Sequence, residues 1–329
     1  RTRQALHVVL ASLAVAGVAL TSAPAAIAQQ DWPSRPVRIV VPYPPGALTD
    51  LLARAIGDRL GTAMKQPFVI ENKPGAGTLL GAEVVAKSAP DGYTLLMATS
   101  TTLGISPALY RSSPIDPIRD FAPVSQVGSV NFFVIANPAF PAKPVGEAIE
   151  AIRGNPGKFN YASVGSGSPH LLFMEALKAE LGLSIQHVPY KGTQAAIPDL
   201  LTGGVQMMFA DATVAVPNIQ AGKVTPLGTS SAKPTTLVPG VPPIAATVKG
   251  FDWEAWQGIV APAATPPAIV AKLAAELQRI QSTPEFREQL RKFGMESAPP
   301  HTPAEFAAIV AAEQPRWQKA VKDSGAKVD

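Results

Sequence analysis

Val37-Arg38-Ile39-Val40-Val41, then Pro42-Tyr43-Pro44-Pro45-Gly46-Ala47-Leu48-Thr49-Asp50, then Leu51 to Arg59, is the stretch on which the fold turns. The β-branched apolar run predicts a strand. Leu51, Leu52, Ala55, Ile56 and Leu60 recur at three- and four-residue spacing and predict one buried helix face. A Gly-containing loop that runs from a strand into a helix leaves backbone N–H groups pointing outward at the helix start, where they can hold an anion without Lys or Arg. A second such turn follows Phe159-Asn160-Tyr161-Ala162-Ser163, where Val164-Gly165-Ser166-Gly167-Ser168-Pro169-His170 leads into Leu171-Leu172-Phe173-Met174-Glu175. Two such turns predict two lobes that grip one small acid between them.

Working outward, strand, loop and helix repeat along the chain, which predicts an α/β fold of two mostly parallel sheets flanked by helices. Phe68-Val69-Ile70 and Tyr93 to Met97 read as strands, the latter ending in Ala98-Thr99-Ser100-Thr101-Thr102, where open α/β sheets place ligands. Val124 to Val127 and Phe132 to Ile135 are two more, with the first crossing between lobes placed between them. Val205 to Phe209 is a strand that ends at Asp211. Ala232 to Lys249 is a long irregular connection, and Trp253 to Val260 is the strand that returns to the first lobe. Helices beginning at Thr265-Pro266 and Thr283-Pro284 are each expected to use a hydroxyl cap with Pro in the first turn, and a last helix from Pro303 is expected to kink at Pro315. The expected division is 29–130 with 253–329 as lobe 1 and 131–252 as lobe 2, an interleaving suited to hinge closure.

Residues 1–28 read as an export signal: Arg1 and Arg3, an apolar run Leu6 to Leu20, and the small-x-small pattern Ala26-Ile27-Ala28, with cleavage near Ala28/Gln29 and a periplasmic mature protein. The sequence has no Cys, so it has no disulfides. The whole chain carries 28 Lys and Arg against 24 Asp and Glu, and losing Arg1 and Arg3 lowers the net charge from +4 to about +2. No basic run or aromatic-basic interleaving indicates nucleic acid. His7, His170, His187 and His301 are scattered and form no metal motif. Gly75-x-Gly77 with Gly81 departs from the dinucleotide spacing, Gly165-x-Gly167 lacks a phosphate-loop Lys, and Ser163 lacks the first Gly of a nucleophile elbow. The expectation is a binding protein with no cofactor and no enzymatic activity.

Trp32-Pro33-x-x-Pro36, Val41-Pro42-Tyr43-Pro44-Pro45-Gly46, Glu71-Asn72-Lys73-Pro74-Gly75-Ala76-Gly77, Pro90-Asp91-Gly92-Tyr93-Thr94-Leu95-Leu96, Asn160-Tyr161-Ala162-Ser163, His187-Val188-Pro189-Tyr190-Lys191-Gly192 and Ala261-Pro262-Ala263-Ala264-Thr265-Pro266 occur in that order. Together they resemble the periplasmic substrate-binding proteins of tripartite tricarboxylate transporters, the Bordetella uptake gene family. The resemblance implies a Venus-flytrap receptor, monomeric, that hands a small carboxylate to a membrane permease of large and small subunits. It also implies that backbone groups, hydroxyls and bridging waters hold the ligand. By matching position the contact set is Tyr43, Gly46, Ala47, Thr49, Thr99, Ser100, Ser163, Gly165, Ser166, His170 and Asp211. The family's first loop usually reads Pro-Gly-Gly, and here Ala47 replaces the second Gly. If the backbone there needs a positive φ, Ala47 is strained.

Several of these residues have a structural reading beside the functional one. Asp50 is expected to serve the helix start rather than the ligand. His170 either caps its helix or contacts the ligand, and Asp211 either reads the ligand's distal end or is a solvated strand-end carboxylate. The alternative function is a ligand-sensing protein of the same fold that acts on a signalling partner instead of a permease.

Overall fold

The computed structural model describes residues 32–165 and 167–326; the export-signal reading of 1–28 and the candidate Ser166 lie outside them. From Arg35 onward the chain forms one compact unit, built on two sheets with helices packed against them.

The first half of the chain runs β1 (Val37–Val41), α1 (Leu48–Met64), β2 (Phe68–Asn72), α2 (Leu79–Ala86), β3 (Thr94–Thr99), a π-helical turn (Thr101–Ile105), α3 (Ser106–Leu109) and β4 (Phe121–Val130). The strands of a second sheet and their helices follow as β5 (Phe132–Ala136), α4 (Val145–Arg153), β6 (Asn160–Ser163), α5 (Pro169–Leu181), β7 (Gln186–Pro189), α6 (Thr193–Thr202), β8 (Met207–Asp211), α7 (Ala212–Gln220) and β9 (Thr225–Thr229). The chain closes with β10 (Ala255–Pro262), α8 (Pro267–Gln281), α9 (Pro284–Lys292), β11 (Met295–Ser297) and α10 (Pro303–Ser324). One sheet has the order β11-β4-β10-β3-β1-β2 and the other β7-β6-β8-β5-β9.

Both sheets are mixed, and in each most strands run one way. β1, β2 and β3 are parallel, as are β6, β7 and β8, and these are the strands of the strand–helix repeat. The reversed members are β10 and the short β11 in the first sheet and β5 in the second. A single residue, Asn131, separates β4 from β5, and β10 comes back from the second lobe alongside β4, so it runs against β4 and β3. β5 likewise runs against β8 and β9. All eight residues of β10 are buried, as expected of a strand covered on both faces.

One of the two expected hydroxyl caps is absent. Thr283 does cap α9, accepting from the Phe286 N–H, but α8 begins one residue after Pro266, with no side-chain cap from Thr265. Pro266 is held by its ring in the extended geometry that the cap position needs, which leaves Thr265 outside the helix. Pro315 sits inside a single continuous α10 whose start is a full capping box, Thr302 with Glu305.

An aromatic cluster joins the lobes. Phe173 of α5 packs edge-on to Phe132 at 5.2 Å between ring centres and stacks on Trp317 of α10 at 6.1 Å, and Trp317 meets Trp253 at 4.8 Å. Trp317 also lies on Gly104 of the π-helical turn, where a Cβ would stand 2.6 Å from its Nε1. Burying such rings supplies apolar area together with their edge and face preferences.

Candidate functional site

In each lobe three parallel strands end on one edge, the edge at which open α/β sheets take ligands. In the first lobe β1 leads into a turn at Gly46, φ 81°, and then Ala47 in extended backbone at φ −66°, ψ 157°. The positive φ therefore falls on Gly46, and the Ala47 methyl group costs no strain. Asp50, buried in the first turn of α1, ties this loop together. Its Oδ2 accepts from the Gly46 N–H at 2.9 Å and Arg54 Nε at 3.0 Å; its Oδ1 accepts from Arg54 Nη2 at 3.0 Å and Asn72 Nδ2 at 2.9 Å. Burial alone would raise the Asp50 pKa, but Arg54, the Gly46 amide and Asn72 together hold it below the usual carboxylate value.

This arrangement takes Gly46 N–H out of the anion seat, and Ala47 N–H points to Pro44 O at 3.2 Å. What remains of the seat is the first-turn amides of Leu48, Thr49 and Asp50, which have no carbonyl partner within the helix. Beside them, Tyr43 OH bonds Thr99 Oγ1 at 3.1 Å, and Thr99 Oγ1 bonds Thr102 Oγ1 at 3.0 Å while accepting from Thr102 N–H at 3.1 Å. Burial pushes the Tyr43 phenol up, against smaller opposing effects from Thr99 and Thr101, so it stays neutral. Ser100 is buried at the start of the π-helical turn.

In the second lobe Ser163 is fully buried at the end of β6, with Oγ 2.6 Å from Nε2 of His187 on the neighbouring strand and accepting from Gly165 N–H at 3.4 Å. His187 stacks on Tyr161 with ring centres 5.1 Å apart, and loss of hydration on its covered part pushes its pKa down. Ser168 caps α5: its Oγ accepts from Leu171 N–H at 3.3 Å and donates to Gly165 O at 2.8 Å. With Pro169 lacking an N–H, this second turn has fewer open amides than its sequence suggests.

The starts of α5, α6 and α7 meet around Asp211. His170 Nε2 stands 3.5 Å from Asp211 Oδ2, and Thr193 Oγ1 lies 3.2 Å from Nε2 and 3.3 Å from Oδ2. The single Thr193 proton goes to the carboxylate, so Thr193 accepts from Nε2–H, which leaves His170 Nδ1 buried without a partner. Thr213 donates to Asp211 Oδ1. Burial works to raise the Asp211 pKa, but His170, Thr213 and Thr193 hold it below the ordinary value. Asp211 is thus a part-buried, engaged carboxylate, and the chain's own groups bond to both of its oxygens. His170 is not the cap of α5; that role belongs to Ser168.

The structure brings Tyr43 to Thr99, Gly46 to Asp50, Ser163 to Gly165 and His170 to Asp211. It adds Asn72, Arg54, Thr102, His187 and Thr193. Asn72 and His187 lie in the quoted sequence phrases, but only strand pairing shows that each stands beside the end of a neighbouring strand. The two lobes touch next to these groups: a Cβ at Gly167 would overlap Leu109 Cδ2 and stand 3.9 Å from Ile105 Cγ2. A cavity of about 310 Å³ between α5 and α10, lined by Ala176, Glu180, Trp253, Arg316 and Lys319, shares no residue with this set. Among the described residues no helix is long and apolar enough to cross a membrane.

Residues 52–326 match the model of the tripartite tricarboxylate transporter family receptor. The chain is 32% identical to protein BugT of Bordetella pertussis over 96% of its own length and 98% of that protein's. Among solved structures, R. palustris Rpa4515 with adipate aligns at 32% identity and TM-score 0.74, covering 90% of this chain and 100% of that one. MatC (Rpa3494) from Rhodopseudomonas palustris with bound malate aligns at 33% identity and TM-score 0.70, covering 88% and 100%. The two-sheet architecture, its paired strand-end clusters and these matches together make the chain a member of the tripartite tricarboxylate transporter receptor family.

Proposed function

We propose that the chain is an extracytoplasmic solute receptor that binds a small carboxylate in the gap between its lobes and delivers it to a permease of large and small membrane subunits. The observation that carries this reading is the convergence at the two strand-end edges. In each lobe a helix start and a set of hydroxyl groups stand together, and Arg54, the basic side chain beside the first of them, is engaged by Asp50. An anion there is held by partial charges and hydrogen bonds, which are strong where water is excluded. The solved relatives with adipate and malate extend the reading to dicarboxylates.

In this reading the contact set is Tyr43, Gly46, Ala47, Thr49, Thr99, Ser100, Ser163, Gly165, Ser166, His170 and Asp211. The amides of Leu48 to Asp50 and the Thr99 and Ser163 hydroxyls meet the carboxylates, and Asp211 acts through His170. The lobes are 29–130 with 253–329, and 131–252; the mature protein starts near Gln29, works in the periplasm and is a monomer. The test is calorimetric titration and thermal shift with malate, adipate, aromatic acids and acidic amino acids. At least one acid is expected to raise the melting point, since a ligand specific to the folded state stabilises it. Ser163→Ala and Thr99→Ala are each expected to weaken that acid by about tenfold, the worth of one hydrogen bond to a charged group. No response to any acid would overturn the proposal, and Asp211→Asn leaving the ranking of acids unchanged would remove Asp211 from it.

A further inference from the structure

We propose that Leu109 and Gly167 form the contact on which the two lobes close, and that this pair sets the affinity of the ligand site; the inference rests on the carboxylate-receptor reading. Leu109 ends α3, immediately beyond the segment Thr99 to Ile105 in lobe 1. Gly167 lies in the lobe 2 turn that follows Ser163. Their contact therefore joins the two segments that carry the hydroxyl groups of the site. Gly167 has φ 74°, and a Cβ there would stand 2.3 Å from Leu109 Cδ2, so any side chain at this position displaces the tip of Leu109 or the lobe that carries it. The nearby Gly165, φ 101°, has nothing within 4 Å of a Cβ. Of these two glycines with positive φ, only Gly167 is pressed against the opposite lobe.

Leu109 stands on a firm platform. Gly104, one turn back, is packed under Trp317, Ser106 Oγ donates to Gly77 O at 2.5 Å, and Gln314 Nε2 donates to Leu103 O at 2.9 Å. These bonds hold the lobe 1 side of the contact in place, so an enlarged partner must be met by moving the lobes apart or by turning the Leu109 side chain. Overfilling a packed contact costs enough to change affinity by about tenfold or more.

The pairing suggests its own experiment. The chain has no Cys, so spin labels at Lys87→Cys in lobe 1 and Lys223→Cys in lobe 2 are the only ones, and pulsed dipolar spectroscopy reads the distance between them. Distances and affinities for malate and adipate are compared in wild type, Gly167→Ala, Gly182→Ala, Leu109→Ala, Leu109→Trp and the Gly167→Ala/Leu109→Ala pair. Gly167→Ala and Leu109→Trp are expected to lengthen the distance and weaken binding at least tenfold. Leu109→Ala is expected to rescue Gly167→Ala, while Gly182→Ala at the end of α5, which introduces the same kind of backbone strain at φ 63° away from the site, leaves the distance alone. Leu109→Trp carries no backbone strain and stands in if Gly167→Ala fails to fold. Distances for both enlarged variants that coincide with wild type with and without the acids, or a double variant that is not rescued, would overturn the contact. If the distances respond but no acid binds, the closing contact stands and the carboxylate reading falls. If acids bind equally well to all variants, the reverse holds.

Discussion

At the scale of single residues, two buried carboxylates give opposite predictions. Asp50 accepts four hydrogen bonds in the first lobe, so Asp50→Ala leaves the Gly46 amide without an acceptor and Asn72 Nδ2 with only one of its two, the Tyr43 carbonyl. The expected loss is about 2–3 kcal/mol in chemical denaturation. Because its folded pKa lies below the unfolded 3.8, its contribution is complete above that value and is lost as the pH falls through the folded pKa. Glu313 accepts from Trp256 Nε1 at 2.7 Å and Trp317 Nε1 at 3.1 Å, and burial, opposed more weakly by those two indoles and by Arg316, pushes its pKa from 4.5 to about 7. Its contribution is complete below 4.5 and is lost as the pH rises through about 7. Glu313→Gln, which copies the protonated form, is expected to remove roughly 2–3 kcal/mol of the stability difference between acid and mildly alkaline solution. Equal pH dependence in variant and wild type would refute this. The sequence showed Asp50 at a helix start, which agrees with its structural role. It could not show Glu313, because two indoles separated by sixty residues meet that carboxylate only once β10 and α10 are packed together.

At the scale of elements, the helix starts form a natural experiment. Thr283→Ala removes a cap and is expected to cost about 1 kcal/mol. Thr265 looks the same in the sequence, since both precede a Pro, yet its hydroxyl is buried without a partner. Thr265→Val is therefore expected to leave the denaturation midpoint unchanged or raise it, and a loss as large as that of Thr283→Ala would contradict this account. Strands and helices of the repeat were legible because their apolar spacing is local. β11 was not, since three residues carry no period. The direction of β5 and β10 also escaped a reading from the strand–helix repeat, because orientation depends on which lobe the chain is entering. The same limit applies to the site. The Gly-containing turns were visible, but which of their amides the chain satisfies itself depends on Asp50 and Ser168 folding back.

At the scale of the whole molecule, one sheet is made from both ends of the described chain and the other from the middle. β10 lies between β3 and β4 and pairs with both, yet it comes after all of the second sheet, beginning at Ala255. A chain emerging from the ribosome therefore holds a first sheet split in two until nearly all of it has been made. The second sheet needs only residues 132–229. Nascent chains stopped at residue 252 are expected to show protease resistance confined to the middle segment, and resistance across β1 to β4 would contradict that order. A fold that cannot finish until its last quarter arrives keeps its first sheet open through most of synthesis, and the late strand acts as a built-in delay.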